Sequence, residues 1–150
     1  MAGVRRVTRS ILRYLYPLYV LLIVLQVYFA GEGIFGARDT DTPIEDAGAL
    51  DLHRGVGFFI AMPGALLLLI LALLAWLPGT RWRTLSIVFP VLLFVQALLP
   101  GAGRWVAALH PVNAFLLLGM AAYLAWAFWR GELATGAGVE QERAPAVEPV

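Results

Sequence analysis

The chain has no cysteine and no lysine, only two histidines, and few charges of any kind. Without cysteine there are no disulfides, no thiolate metal sites, no thiol nucleophile and no covalent haem attachment of the c type. Charged residues make up 14% of the 150 positions and apolar ones 61%, with a mean hydropathy of +0.79. Soluble domains carry about 25% charge and about 45–50% apolar residues. A cytosolic enzyme, a disordered chain and a nucleic-acid binder are excluded on that ground. No H-E-x-x-H, phosphate-cradling glycine loop or serine–histidine–aspartate cluster is present, so nothing points to hydrolysis.

What is present is four long apolar runs, at residues 14–30, 55–77, 85–99 and 107–129. A helix needs roughly 20 apolar residues to cross a ~30 Å hydrocarbon layer, and in lipid only the helix satisfies its own backbone. The sequence therefore predicts an all-α integral membrane protein, a four-helix transmembrane bundle. Pro63, Pro90 and Pro111 are expected to kink their helices without ending them. Residues 1–13 read as a basic N-terminal segment, 14–130 as the bundle with an outer acidic loop at 31–54, and 131–150 as a disordered tail rich in Gly, Ala, Glu and Pro. The first run lacks a clear cleavage site after Ala30 and reads as a retained anchor.

Orientation follows arginine. Arg5, Arg6, Arg9 and Arg13 precede the first run, Arg81 and Arg83 separate the second from the third, and Arg130 follows the fourth. The positive-inside rule then places both termini in the cytoplasm of a multi-pass cell-membrane protein. Tyr14, Tyr16, Trp76, Trp82, Trp126 and Trp129 would form the inner aromatic belt, with Tyr28 and Trp105 near the outer one.

An internal repeat is legible. Gln26 is followed by Gly31 and Gly33, and Gln96 by Gly101 and Gly103, at the same offsets. His53 is followed by Phe58, and His110 by Phe115, again at one offset. Two hairpins related by a pseudo-two-fold axis along the membrane normal would produce this pattern. The repeat puts both histidines at equivalent outer helix starts, where ionisable groups default to a functional reading.

In an up-down bundle spans 2 and 4 are diagonal, with axes roughly 11–14 Å apart. That gap suits a flat macrocycle with one imidazole on each side of its metal, and is too wide for the two rings to meet. Gly57, Ala61 and Gly64 lie below His53 on one helical face, and Ala114 and Ala121 below His110. The small stripes leave room for a planar group or, alternatively, for close helix packing. Gln26, Gln96 and Asn113 can bond a ligand, the Nδ1–H of an axial histidine, or each other across helices. Arg54 and Arg104 are candidate propionate partners, although Arg54 has Asp51 beside it.

At these residues a resemblance enters. Leu52-His53-Arg54-Gly55 resembles the His-Arg ligand motif in the haem-binding helices of haem A synthase, and His110 stands where the partner ligand would come from. The chain lacks that enzyme's second four-helix half, its cysteine pair and an acidic partner for substrate oxidation. Over residues 14–129 it more closely resembles an uncharacterised domain-of-unknown-function family of small four-span actinobacterial membrane proteins, through Gln26, Ala30-Gly31, His53, Gly57 and His110-Pro111-Val112-Asn113-Ala114. That family brings no activity.

The sequence thus supports one haem b with His53 and His110 as metal ligands and Gln26, Gln96, Asn113, Gly57 and Ala114 around it. The work expected is electron transfer or quinone chemistry with a redox partner protein, the oligomeric state staying open. The alternatives are a non-catalytic scaffold or assembly protein whose histidines are structural and, third, a small transporter or lipid-binding protein.

Overall fold

The computed structural model describes residues 2–39, 43 and 48–133, and every regular element among them is helical. Helix α1 (Ala2–Asp39) is followed by a 3-10 turn at Gly48–Leu50. The second span is continuous, from α2 (Asp51–Phe59) through a π-helical turn (Ile60–Gly64) into α3 (Ala65–Ala75). Next comes α4 (Thr80–Leu98), closed by a 3-10 turn at Leu99–Gly101. The short α5 (Arg104–Ala107) then leads into α6 (Leu109–Trp129). Four stretches, Ala2–Asp39, Gly48–Ala75, Thr80–Gly101 and Arg104–Trp129, are long and apolar enough to cross a membrane.

Consecutive spans run antiparallel, and the first packs against the fourth as well as the second, leaving spans 2 and 4 diagonal. The bundle therefore has two ends. Residues 2–13, 75–83 and 126–133 meet at an arginine end. The turns that carry His53 and His110 meet at the other.

Helix α1 corrects two expected boundaries. At 1.5 Å per residue its 38 residues span about 57 Å, well beyond a ~30 Å hydrocarbon layer. Neither 2–13 nor 31–39 is a separate segment. Arginine is a good helix former, and Thr8 and Leu12 continue the buried stripe downward while Gly33 and Ala37 continue it upward. A Cβ at Gly33 would stand 2.5 Å from Leu50 Cδ2 and 2.9 Å from the Ala49 carbonyl oxygen. The missing side chain is what lets the Gly48–Leu50 turn seat on α1 and set the start of α2.

The prolines interrupt no span. Pro63 lacks the N–H that would bond the Phe59 carbonyl, and the chain widens to a π turn there. Pro111 falls in the first turn of α6, where N–H groups have no intrahelical partner anyway.

The core is aromatic at the arginine end. Tyr16 is fully buried, its ring 5.9 Å from Phe89 and 5.7 Å from Phe128. It does not belong to the aromatic belt, because it faces inward while its neighbour Tyr14 faces out against Trp129. Leu66, Leu67, Ile70, Leu73 and Leu74 leave half of their surface open along one side of α3, as on a helix facing lipid. The expected tail begins with a turn whose Leu133 is completely buried; residues 134–150 lie outside the described residues.

Arginine closes this end through rings and carbonyls. Arg13 lies 4.3 Å over Trp129, Arg83 4.1 Å over Trp76 and Arg130 4.6 Å over Trp126. Arg81 covers Trp82 and Tyr123 and donates to the Tyr123 hydroxyl. Arg9 reaches the end of α3, donating from Nε to the Ala75 carbonyl (3.1 Å) and from Nη2 to the Trp76 carbonyl (2.9 Å). It thereby satisfies orphan carbonyls of a helix C-terminus. Arg9→Gln is expected to lower stability by about 1–2 kcal/mol, near the low end for hydrogen bonds to charged groups because one of the two is exposed. Thermal unfolding in detergent reads it.

Candidate functional site

The two histidines meet at the end opposite the arginines. Their ring centroids are 6.2 Å apart with the planes at 79°. The expectation that the diagonal gap would keep the rings from meeting is overturned. Axis separation ignores side-chain length, and each imidazole extends from the first turns of its helix toward the other.

The same contact anchors both rings. His53 Nδ1 stands 3.1 Å from the main-chain carbonyl of Gln26, and His110 Nδ1 stands 3.1 Å from the main-chain carbonyl of Gln96. A carbonyl only accepts, so each Nδ1 carries the proton and donates, leaving a lone pair on each Nε2. The sequence pointed to the glutamine side chains for this role. The backbone performs it, and the glutamine side chains do something else.

Their tasks differ between the hairpins. The Gln26 amide lies against the first turns of α2; with its nitrogen toward His53 it stands 3.0 Å from both His53 Nδ1 and the His53 carbonyl, donates to that carbonyl, and accepts from the Gly57 N–H at 3.2 Å. A Cβ on Gly57 would stand 3.0 Å from the head of the Gln26 amide. Gly57 thus makes room for Gln26. Gly64 makes room for Tyr19 in the same way, since a Cβ there would stand 2.5 Å from the Tyr19 hydroxyl. The stripe below His53 is taken up by close packing on α1, the alternative that small residues always carry in helix bundles. Below His110, Ala114 is half-buried and Ala121 fully buried.

In the second hairpin Asn113 Nδ2 donates to the Leu92 carbonyl (3.1 Å) and to Gln96 Oε1 (2.8 Å). That fixes the Gln96 amide, whose Nε2 then points at His110 Nε2 from 3.2 Å. The first hairpin has Val56 where the second has Asn113, and the Gln26 amide lies at His53 Nδ1 rather than Nε2; no described residue bonds the His53 Nε2. Arg54 turns to Asp51 (3.4 Å) and Arg104 lies over Trp105.

The repeat holds at Gln and His and fails at the glycines. Gly31 and Gly33 are inside α1, whereas Gly101 ends a 3-10 turn and Gly103 has φ +88°. One pair serves helix packing and the other a chain reversal, so their matched offsets do not mark matched structure.

Two imidazoles are an incomplete set for a bare cation such as zinc, which takes four donors. Among the described residues no group of three or more His, Cys, Asp or Glu gathers. A haem brings its own equatorial nitrogens and asks the protein only for axial ligands. With metal–nitrogen bonds of about 2.0–2.1 Å and each ring centre about 1 Å behind its nitrogen, two imidazoles on one metal stand about 6 Å apart. Donor type, tautomer and the 6.2 Å separation fit such a group. His110 Nε2 already faces the Gln96 amide, which would have to turn aside. No family model, curated protein or solved structure matches the chain, so the functional reading rests on the chemistry of the site.

Proposed function

We propose that this chain is a b-type cytochrome-like module of the cell membrane, both termini cytoplasmic, that holds one haem b between spans 2 and 4 for electron transfer with a quinone or a redox partner protein. The observation that carries the reading is the paired anchoring of His53 and His110 by the carbonyls of Gln26 and Gln96, at a spacing suited to one metal. Bound there, haem would supply a one-electron iron couple. The protein's part is to hold each imidazole neutral, with Nδ1–H on a carbonyl, which fixes the tautomer and raises the basicity of Nε2.

The test is an absorbance spectrum of the protein purified from haem-replete cells. A Soret band with low-spin features that sharpen on dithionite reduction supports the reading; a colourless protein overturns it. The bond from Gln96 to His110 Nε2 favours a second reading, a scaffold or assembly protein with structural histidines, because it satisfies His110 without any ligand.

The orientation has its own test, and a chain without cysteine suits it. Asp39→Cys and Glu132→Cys are both exposed positions at opposite ends. On intact cells an impermeant maleimide should label the first, and the second only after permeabilisation. The reverse pattern would invert the topology.

A further inference from the structure

The arginine end carries a groove of about 370 Å³ between the start of α1 and the end of α3, lined by Val4, Arg5, Leu73, Leu74 and Trp76. That volume lies within the range of small-ligand sites. Its wall is built at a conformational cost. Trp76 has φ +41° and ψ +66°, the only positive φ outside glycine among the described residues, and L side chains rarely adopt it. Arg9 holds the turn through the Ala75 and Trp76 carbonyls, and Arg83 covers the indole at 4.1 Å. Strain maintained by such contacts clusters at ligand sites.

Charge says what would occupy it. Arg5, Arg6, Arg9, Arg13, Arg81 and Arg83 gather at this end, and among the described residues no carboxylate pairs with any of them. The Arg83 Nε is buried and has no acceptor. An open leucine face leads away from this charge along α3. Phosphate beside an acyl chain matches that arrangement.

We infer that the groove binds one anionic phospholipid, its phosphate on Arg5 in the field of Arg83 and its acyl chain along Leu73 and Leu74. This is independent of the haem reading, since it involves the opposite end of the bundle. Guanidinium suits a phosphate oxygen, and basic residues at a membrane surface select anionic headgroups.

Native mass spectrometry of the full chain from mixed micelles of phosphatidylglycerol and phosphatidylcholine tests it. One phosphatidylglycerol should be retained in preference to phosphatidylcholine, with Arg5→Gln and Arg83→Gln each reducing that preference about fivefold, the effect of one charge at a lipid surface. Arg104→Gln, at the other end, should leave it unchanged. Arg5 is exposed on the first turns of α1, so Arg5→Gln keeps the test open if Arg83→Gln misfolds. Equal retention of both lipids, or indifference to Arg5→Gln, overturns the inference. Displacement by millimolar inorganic phosphate would show a free-anion site and overturn it too.

Discussion

If the proposed haem is bound, replacing His53 or His110 by alanine is expected to abolish its low-spin spectrum, or to convert it to a high-spin one, with either substitution sufficient alone. These are the only two imidazoles and there is no cysteine to substitute for either. Met62 and Met120 lie nine and ten residues further along their helices, roughly 13 and 15 Å down the axis at 1.5 Å per residue. Neither methionine reaches the layer of the pair. The neighbouring amides sharpen the test. Gln96→Leu removes the group that holds His110 Nε2; if the site takes haem, occupancy is undiminished or rises, whereas a purely structural histidine leaves a less stable, colourless protein. Asn113→Ala should keep the haem and shift its midpoint potential, because it removes a polar group beside His110, which in the haem-bound site no longer has the Gln96 amide in place. A spectrum indifferent to both histidine substitutions would leave the scaffold reading standing.

Tyr16 gives the largest expected effect on stability, and its sign depends on which atoms are removed. The ring fills the space between Phe89 and Phe128, while its hydroxyl is buried with no hydrogen-bond partner. Tyr16→Ala opens a cavity the size of an aromatic ring and should cost about 3–5 kcal/mol. Tyr16→Phe keeps the packing and removes an unsatisfied donor, whose burial costs about 1–3 kcal/mol, so it should stabilise the bundle by up to that amount. Denaturant or thermal unfolding in one detergent compares the two. Destabilisation by Tyr16→Phe would reveal a partner for the hydroxyl.

The contrast between Tyr14 and Tyr16 also shows where sequence reading stops. Apolar run length located four spans, and the outcome is four helices of sufficient length and apolarity. Run length says nothing of which face an end-located aromatic takes, and two tyrosines two residues apart went opposite ways. Helix ends were hidden for a related reason. Arg5–Arg13 and Gly31–Asp39 are not apolar, yet Leu12 and Gly33 keep the buried stripe going, and packing rather than hydropathy extends α1. At the histidines, residue identity and spacing were legible. The contact that orients them was not, because it comes from main-chain carbonyls, which every residue possesses. Gly57 and Gly64 could be read as space; only the structure shows that Gln26 and Tyr19 already fill it.

The link between the two hairpins is short, residues 77–79, and no described element crosses it. Each half brings its own glutamine carbonyl to its own histidine, and Arg9 closes α3 within the first half. What joins the halves is lateral packing, of α1 on α6 and of α3 on α4. Covalent continuity is therefore dispensable in principle: fragments 1–78 and 79–150, translated separately, should find each other in the bilayer and co-purify as a complementing pair.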